Sequence, residues 1–165
     1  MANDLHDRIN RYLDDAIALE ASGIIGLKEA IDDSLDPQDV AMFQQHLAET
    51  ERQKARLEAL LHARGGTSNK LKDVMNKIGV AATELLHVGK DAGDKATRQL
   101  IQAYSIENLE IATYESLHAA ATQVGDTEVA EVAKAIQAEE QAAAAKIFPR
   151  IAPVARQAVI TGTQS

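Results

Sequence analysis

The chain has 165 residues, a formal net charge of −8, 45% hydrophobic residues but only 3% aromatic ones, and no cysteine. That length suits one domain with a single core. The missing cysteines exclude a disulfide framework, a thiolate metal site and a thiol nucleophile, while the acidic balance argues against nucleic acid and anionic membranes as partners. The opening MANDLHDRIN has no apolar signal region, and no apolar run approaches the ~18 residues of a membrane span. A soluble, cytoplasmic protein is expected. Abundant alanine with only 9 glycines and 3 prolines suggests a helical bundle with small residues at its seams.

Apolar periodicity predicts a first helix over about 4–31, with Ile9, Leu13, Ala16, Ile17, Ile24, Leu27 and Ile31 on one stripe. DDSLDPQD breaks the pattern, with Asp36 as an N-cap and Pro37 at the favoured first position. The second helix runs from Pro37 to about Ala63, its apolar side defined by Val40, Phe43, Leu47, Leu57 and Leu61. ARGGTSN ends it. A shorter amphipathic segment follows, with Leu71, Val74, Met75, Ile78, Leu85 and Val88 as its apolar positions, and GKDAGD closes that segment. The third long helix covers about 95–122, and VGDTE provides Asp126 or Thr127 as the next cap. The fourth reaches about Phe148, where Pro149 and Pro153 are expected to interrupt it and leave a tail over 149–165. Two long helices, a long crossover carrying a short extra helix, then two more long helices predict a single all-α domain over 1–165. The architecture is a ferritin-like antiparallel four-helix bundle.

The acids fall where apolar residues belong. Glu20 lies within ~20° of Leu13 and Ile31, at the centre of the first stripe. Leu100, Ala103, Tyr104, Ile111 and Tyr114 set the core direction of the third helix; Glu107 falls at its centre and Glu110 ~60° to one side. On the fourth helix Glu140 lies within the stripe of Val129, Val132, Ala133, Ile136, Ala143 and Ile147, while Glu139 lies toward the flank. Three helices thus place a glutamate mid-length in the core face. Like charges cannot share a dry core without a cation or protons, and carboxylates are hard ligands suited to a divalent or trivalent metal.

The second helix is less clean. Its apolar centre passes through Thr50; His46 lies ~40° from that centre and Glu49 ~100° off it, in a column with Gln53. Glu49 therefore reaches a site from the flank or with the helix rotated. Glu110 reads either as a ligand or as an ordinary flanking residue, and His46 either as a ligand or as an edge residue. Tyr104 and Tyr114 read as core packing, with Tyr114 one turn from Glu110 and able to hydrogen-bond to it. His118 reads as a packed core histidine, ~16 Å along the helix from Glu107.

QQHLAETERQKARLEALL on the second helix, ENLEIATYESL on the third and QAEEQAAAAKI on the fourth resemble the YciE/YciF-type ferritin-like proteins, bacterial bundles associated with stress and metal binding. HLAETERQ and the pattern E-x-x-E-I-A-x-Y are the most specific parts, and the resemblance spans about Tyr12 to Ile147. It implies a ferritin-like fold, a di-iron centre and a homodimer. The wider superfamily pattern, carried across, matches Glu20, Glu107 (with Glu110 as its alternate) and Glu140. Its two Glu-x-x-His motifs do not match: Ala143 stands three residues after Glu140, Arg52 stands three after Glu49, and His46 precedes Glu49 by three. An all-oxygen site is harder than an imidazole-bearing one.

Two functions follow. The first is a carboxylate site for iron or manganese, dinuclear in type, with Glu20, Glu107 and Glu140 as ligands, Glu49 and Glu110 as additional ones and His46 as a further candidate. Ferroxidase or peroxide chemistry in a stress response would be its activity. The second is a non-catalytic stress or interaction bundle, its acids protonated or paired with cations such as Arg52 or Lys54.

Overall fold

The computed structural model describes residues 2–68 and 92–162, and the short helix expected in the crossover lies outside the described residues. Four helices make up the described fold: α1 (Ala2–Asp33), α2 (Pro37–Ala63), α3 (Ala92–Val124) and α4 (Thr127–Gly162). The expected caps form. Asp36 accepts from the amide of Gln38 at 2.8 Å with Pro37 at the helix start, which satisfies one of the orphan donors of the first turn. Of the two residues considered for the last helix, Asp126 is the cap, accepting from the amide of Val129 at 3.3 Å. The turn before it needs Gly125, whose φ of 77° is left-handed; the amide of Asp126 closes on the carbonyl of Ala121 at 2.9 Å there.

The N-terminal turns of α1 meet the end of α2, where Arg64 donates to Asn10 at 2.8 Å. Arg64 also pairs with Asp126 at the start of α4, at 2.5 Å. At the opposite end Lys95 of α3 pairs with Asp33 of α1 at 2.9 Å. Hence α2 and α3 run the same way and α1 and α4 run the other way. The end of α2 and the start of α3 therefore lie at opposite ends of the bundle, as ferritin-like topology requires. Around the bundle the order is α1, α2, α4, α3, with α3 on α4 the most extensive pairing and α2 on α4 the thinnest.

Two apolar clusters fill the ends. One joins Ile9, Leu13, Ile17, Leu57, Leu61, Tyr114, Leu117, Val129 and Ile136. The other joins Leu27, Phe43, Leu100, Ala103 and Ile147. Between them the interior turns polar. Among the described residues no helix is long and apolar enough to cross a membrane.

One expectation fails. Pro149 and Pro153 do not end α4, which continues through both to Gly162. A proline inside a helix loses one hydrogen bond and crowds the preceding turn, at about 3 kcal/mol, so tertiary contacts must hold the extension. Ile151 and Val154 pack on the second cluster. Arg150 donates to buried Asp39 at 2.5 Å, to Gln38 at 3.1 Å and to the cap residue Asp36. The guanidinium thus clamps the α4 extension onto the start of α2 and compensates a carboxylate only 4% exposed. Arg150→Ala is therefore expected to cost about 1–3 kcal/mol, because it leaves the Asp39 charge buried without its partner. Urea unfolding checks this: the midpoint should fall at unchanged slope, and an unchanged midpoint would show that the clamp does not hold the extension.

Candidate metal centre

All four helices send a side chain to the polar middle of the bundle. Glu20 of α1, His46 of α2, Glu107 and Glu110 of α3 and Glu140 of α4 are each no more than 5% exposed. His46, Glu107 and Glu140 come closest, offering three ligand atoms within 4.8 Å of one another. His46 Nε2 lies 2.8 Å from Glu107 Oε1 and 3.8 Å from Glu140 Oε2. Thus His46 is an interior residue and not an edge one.

Glu110 is also buried, at 2% exposure, so the reading of it as an ordinary flanking residue is overturned. The space it occupies is made by α1. A β-carbon added at Gly23 would stand 3.2 Å from Glu110 Oε1, closer than most such contacts. Gly23 lies one turn after Glu20, so α1 alternates an acid with a niche for the acid of α3.

Glu49 stays on the flank. Its side chain is 24% exposed, its Oε2 lies 3.7 Å from His46 Nδ1, and its Oε1 accepts from Gln45 at 2.9 Å. Tyr114 packs in the core as expected, but its hydroxyl donates to Glu20 and not to Glu110. The reason is placement: Tyr114 is fully buried facing α1, where Glu20 offers the nearest oxygen. His118 is only part-buried, and its Nδ1 lies 3.0 Å from the carbonyl of Ala130. The cations suggested as substitutes for a metal do not reach the centre. Lys54 pairs with Glu58 at 2.5 Å and Arg56 with Glu139 at 2.7 Å, while Arg52 is exposed.

Sequence reading passed over Gln53 as a site residue. It is fully buried, and its Nε2 donates to Glu139 Oε2 at 2.9 Å. The signal was present in the spacing: Phe43, His46, Thr50, Gln53, Leu57 and Leu61 are all buried at intervals of three and four, so the inward stripe of α2 is polar for its middle turns. Thr50 closes on its own helix, donating to the carbonyl of His46 at 3.0 Å.

The charges in this space are not balanced by the protein. Glu20 Oε2, His46 Nδ1, Glu107 Oε2, Glu110 Oε1 and both oxygens of Glu140 are buried with no hydrogen-bond partner. Buried polar atoms ordinarily find partners, so the acid oxygens fit a cation held among them, while His46 Nδ1 faces the flank where Glu49 lies. The donor set, mainly carboxylate oxygen with one imidazole, suits iron or manganese more than soft metals.

Crowding also drives protonation. Burial first, and then the charges of Glu107 and Glu139 against the opposing pull of Tyr114 and His46, raises Glu20 to about 7. Burial, then Glu107, raises Glu140 to about 10. Glu110 rises well above the ordinary range through burial and the charges of Glu20, Glu107 and Glu140. For His46, burial opposes the charged form, but the hydrogen bond and charge of Glu107, then Glu49 and Glu20, outweigh it and raise its pKa.

This geometry and fold define a ferritin-like four-helix bundle with a carboxylate-rich centre able to take a metal ion. The family model described as "Domain of unknown function (DUF892)" matches residues 4–159, and the chain belongs to that family. Among solved structures it is similar to a protein from Xanthomonas campestris pv. campestris, at 22% identity and a TM-score of 0.78 over 98% of this chain and 99% of that one. It is similar to the Escherichia coli stress protein YciF at 21% identity, with a TM-score of 0.77 over 92% of this chain and 97% of that one. A Dps mutant from Listeria innocua matches at 12% identity and a TM-score of 0.66, over 80% of this chain and 85% of that one. These likenesses establish the fold.

The protonation pattern has a measurable consequence. Glu20 and Glu140 hold protons when folded at pH values where the unfolded chain has released them, so the folded state binds more protons and stability falls as pH rises. The loss begins above the ordinary glutamate value of 4.5, proceeds through about 7 for Glu20 and continues toward about 10 for Glu140. His46 acts in the same direction, its contribution being present below its ordinary 6.5 and lost as pH rises through its raised value. Metal-free protein should accordingly be less stable at pH 9 than at pH 6 by a few kcal/mol. Chelator-treated protein unfolded in urea across this range checks it, and a flat profile would mean that the carboxylates are compensated in another way.

Proposed function

We propose that this protein binds iron or manganese at the centre of the bundle. The observation that carries the reading is the approach of His46, Glu107 and Glu140 to within 4.8 Å, amid buried acid oxygens that have no hydrogen-bond partner. These three would hold one ion. Glu20 and Glu110 would serve a second, which makes the centre dinuclear in type, with Glu49 reaching it from the flank. The bound metal would supply one-electron chemistry toward dioxygen or peroxide, the ferroxidase or peroxide-consuming activity considered from the sequence.

The chain's own residues have definite parts in this reading. His46 presents Nε2 to Glu107 and Glu140 and turns Nδ1 toward Glu49, which at 3.7 Å acts on the ring through its charge and not through a hydrogen bond. Tyr114 holds one oxygen of Glu20 and leaves the other free. Gly23 leaves Glu110 room to sit back from the triad. Protons on Glu20, Glu110 and Glu140 keep the metal-free centre from repelling itself, and cation binding would displace them. A role in stress response, as in the stress protein YciF, a cytoplasmic location and a homodimer belong to the same proposal.

A second reading is favoured by two specific contacts. His46 already neutralises Glu107, and Tyr114 already satisfies half of Glu20, which is how a metal-free interaction bundle would tolerate its acids. The two readings part on metal. In the first, Fe(II) or Mn(II) at about one hundred times its dissociation constant adds about 2.7 kcal/mol, which raises the melting temperature of a domain this size by roughly 5–10 °C. Glu107→Gln and Glu140→Gln should each abolish that rise, and Glu140→Gln should also stabilise the metal-free protein, because a neutral amide can be buried there without taking up a proton. Thermal melts with and without metal, together with elemental analysis of the purified protein, check this. Equal melting temperatures and no copurifying metal would favour the second reading.

A further inference from the structure

Among the described residues, apolar side chains close both ends of the bundle around the buried triad. A cavity of about 420 Å³ lies at the end formed by Leu5, Ile9, Arg64 and the α3–α4 turn. The apolar cluster of Leu13, Ile17, Leu57, Tyr114 and Ile136 stands between it and the acids. The other end is filled by Leu27, Phe43, Leu100 and Ile147. On one side, α1 packs with Gly23 against the Glu110 carboxylate and Gly26 against Ile106.

The α2–α4 seam differs. It is the thinnest of the four pairings around the bundle, and a cavity of about 10 Å³ lies in it, lined by Met42, His46, Glu49, Ala143 and Lys146 among others. That is about the room of one water molecule. Ala143 follows Glu140 by one turn, and its small side chain is what leaves the seam open. At the inner wall stands His46, whose side chain is 6% exposed and whose Nδ1 has no hydrogen-bond partner. Half-buried Glu49 lies 3.7 Å from that nitrogen. Lys146 is exposed, and Met42 is partly buried.

We propose that this seam is the port through which a divalent cation reaches the triad, with Glu49 as its first contact and Lys146 as a charge opposing its approach. The inference rests on the metal-binding reading above. Glu49 is the acid that is partly exposed while touching a triad residue, so it can meet a hydrated cation and pass it inward past His46. Met42 is the flexible element of the wall; a thioether chain can move aside for an ion wider than the resting gap.

Stopped-flow binding of Co(II) or Mn(II) to the full chain tests this. Lys146→Glu should speed association roughly threefold at low salt, the gain fading as salt rises, because a charge at the mouth acts locally. Lys28→Glu, an equal change of net charge on exposed α1, should not. Met42→Ala should raise association and release together and so leave the dissociation constant within roughly twofold, since widening a port changes the barrier and not the site. Equal effects of the two lysine changes, or rates insensitive to both Lys146→Glu and Met42→Ala, would overturn the port while leaving the site intact. Absence of Co(II) and Mn(II) binding by the unaltered protein at equilibrium would overturn the metal-binding reading and the port with it.

Discussion

Glu20, Glu107, Glu110 and Glu140 repel one another inside the bundle, with the His46 imidazole beside them, and the packing of all four helices answers that repulsion. Four carboxylates at this burial cannot all be ionised in a protein of ordinary stability. Burial and mutual repulsion push Glu20, Glu110 and Glu140 toward their protonated forms, and His46 sits against Glu107. The two apolar clusters above and below therefore have to hold the helices in place across a layer that adds little cohesion of its own. Their composition reflects this: Leu, Ile and Ala fill both ends, with Val129 and Tyr114 at one and Phe43 at the other, and polar side chains occupy the middle turns of every helix.

The same constraint gives meaning to residues that look incidental. Gly23 is small because Glu110 needs its space. Tyr114 sits where it can give a hydrogen bond to Glu20, which no apolar residue could do. Gln53 is buried at the edge of the charged layer and ties α2 to Glu139 of α4, alongside the Arg56 ion pair with that acid. Ala143 leaves α2 and α4 weakly joined beside the centre, and the fold makes up the contact further along, where Arg150 grips Asp36 and Asp39. A strong clamp at the end of the seam permits a loose middle.

Much of this was legible before any coordinates. Helix positions, the caps at Asp36 and Asp126, the long crossover and the burial of Glu20, Glu107 and Glu140 all follow from local spacing, because a helix fixes which residues share a face. Glu110 was harder to assign. At ~60° from the stripe centre a side chain points inward or outward according to how closely the neighbouring helix approaches, and that is decided by Gly23 on α1, distant in sequence. His46 and Gln53 were ambiguous for a related reason. The stripe of α2 is polar in its middle turns, so hydrophobic patterning loses its reference at the very place where the site is built.

Periodicity, capping and turn chemistry act over a few residues, and they suffice to specify a ferritin-like bundle with acid in its core. Which acids meet depends on how the helices pack. That packing brought His46 rather than Glu49 against Glu107 and Glu140, gave the Tyr114 hydroxyl to Glu20, and carried α4 through Pro149 and Pro153 because Arg150 finds its carboxylates on α2. Each of these outcomes depends on the rotation and spacing of one helix against another. Those quantities are set by packing across the whole bundle, and no single segment carries them.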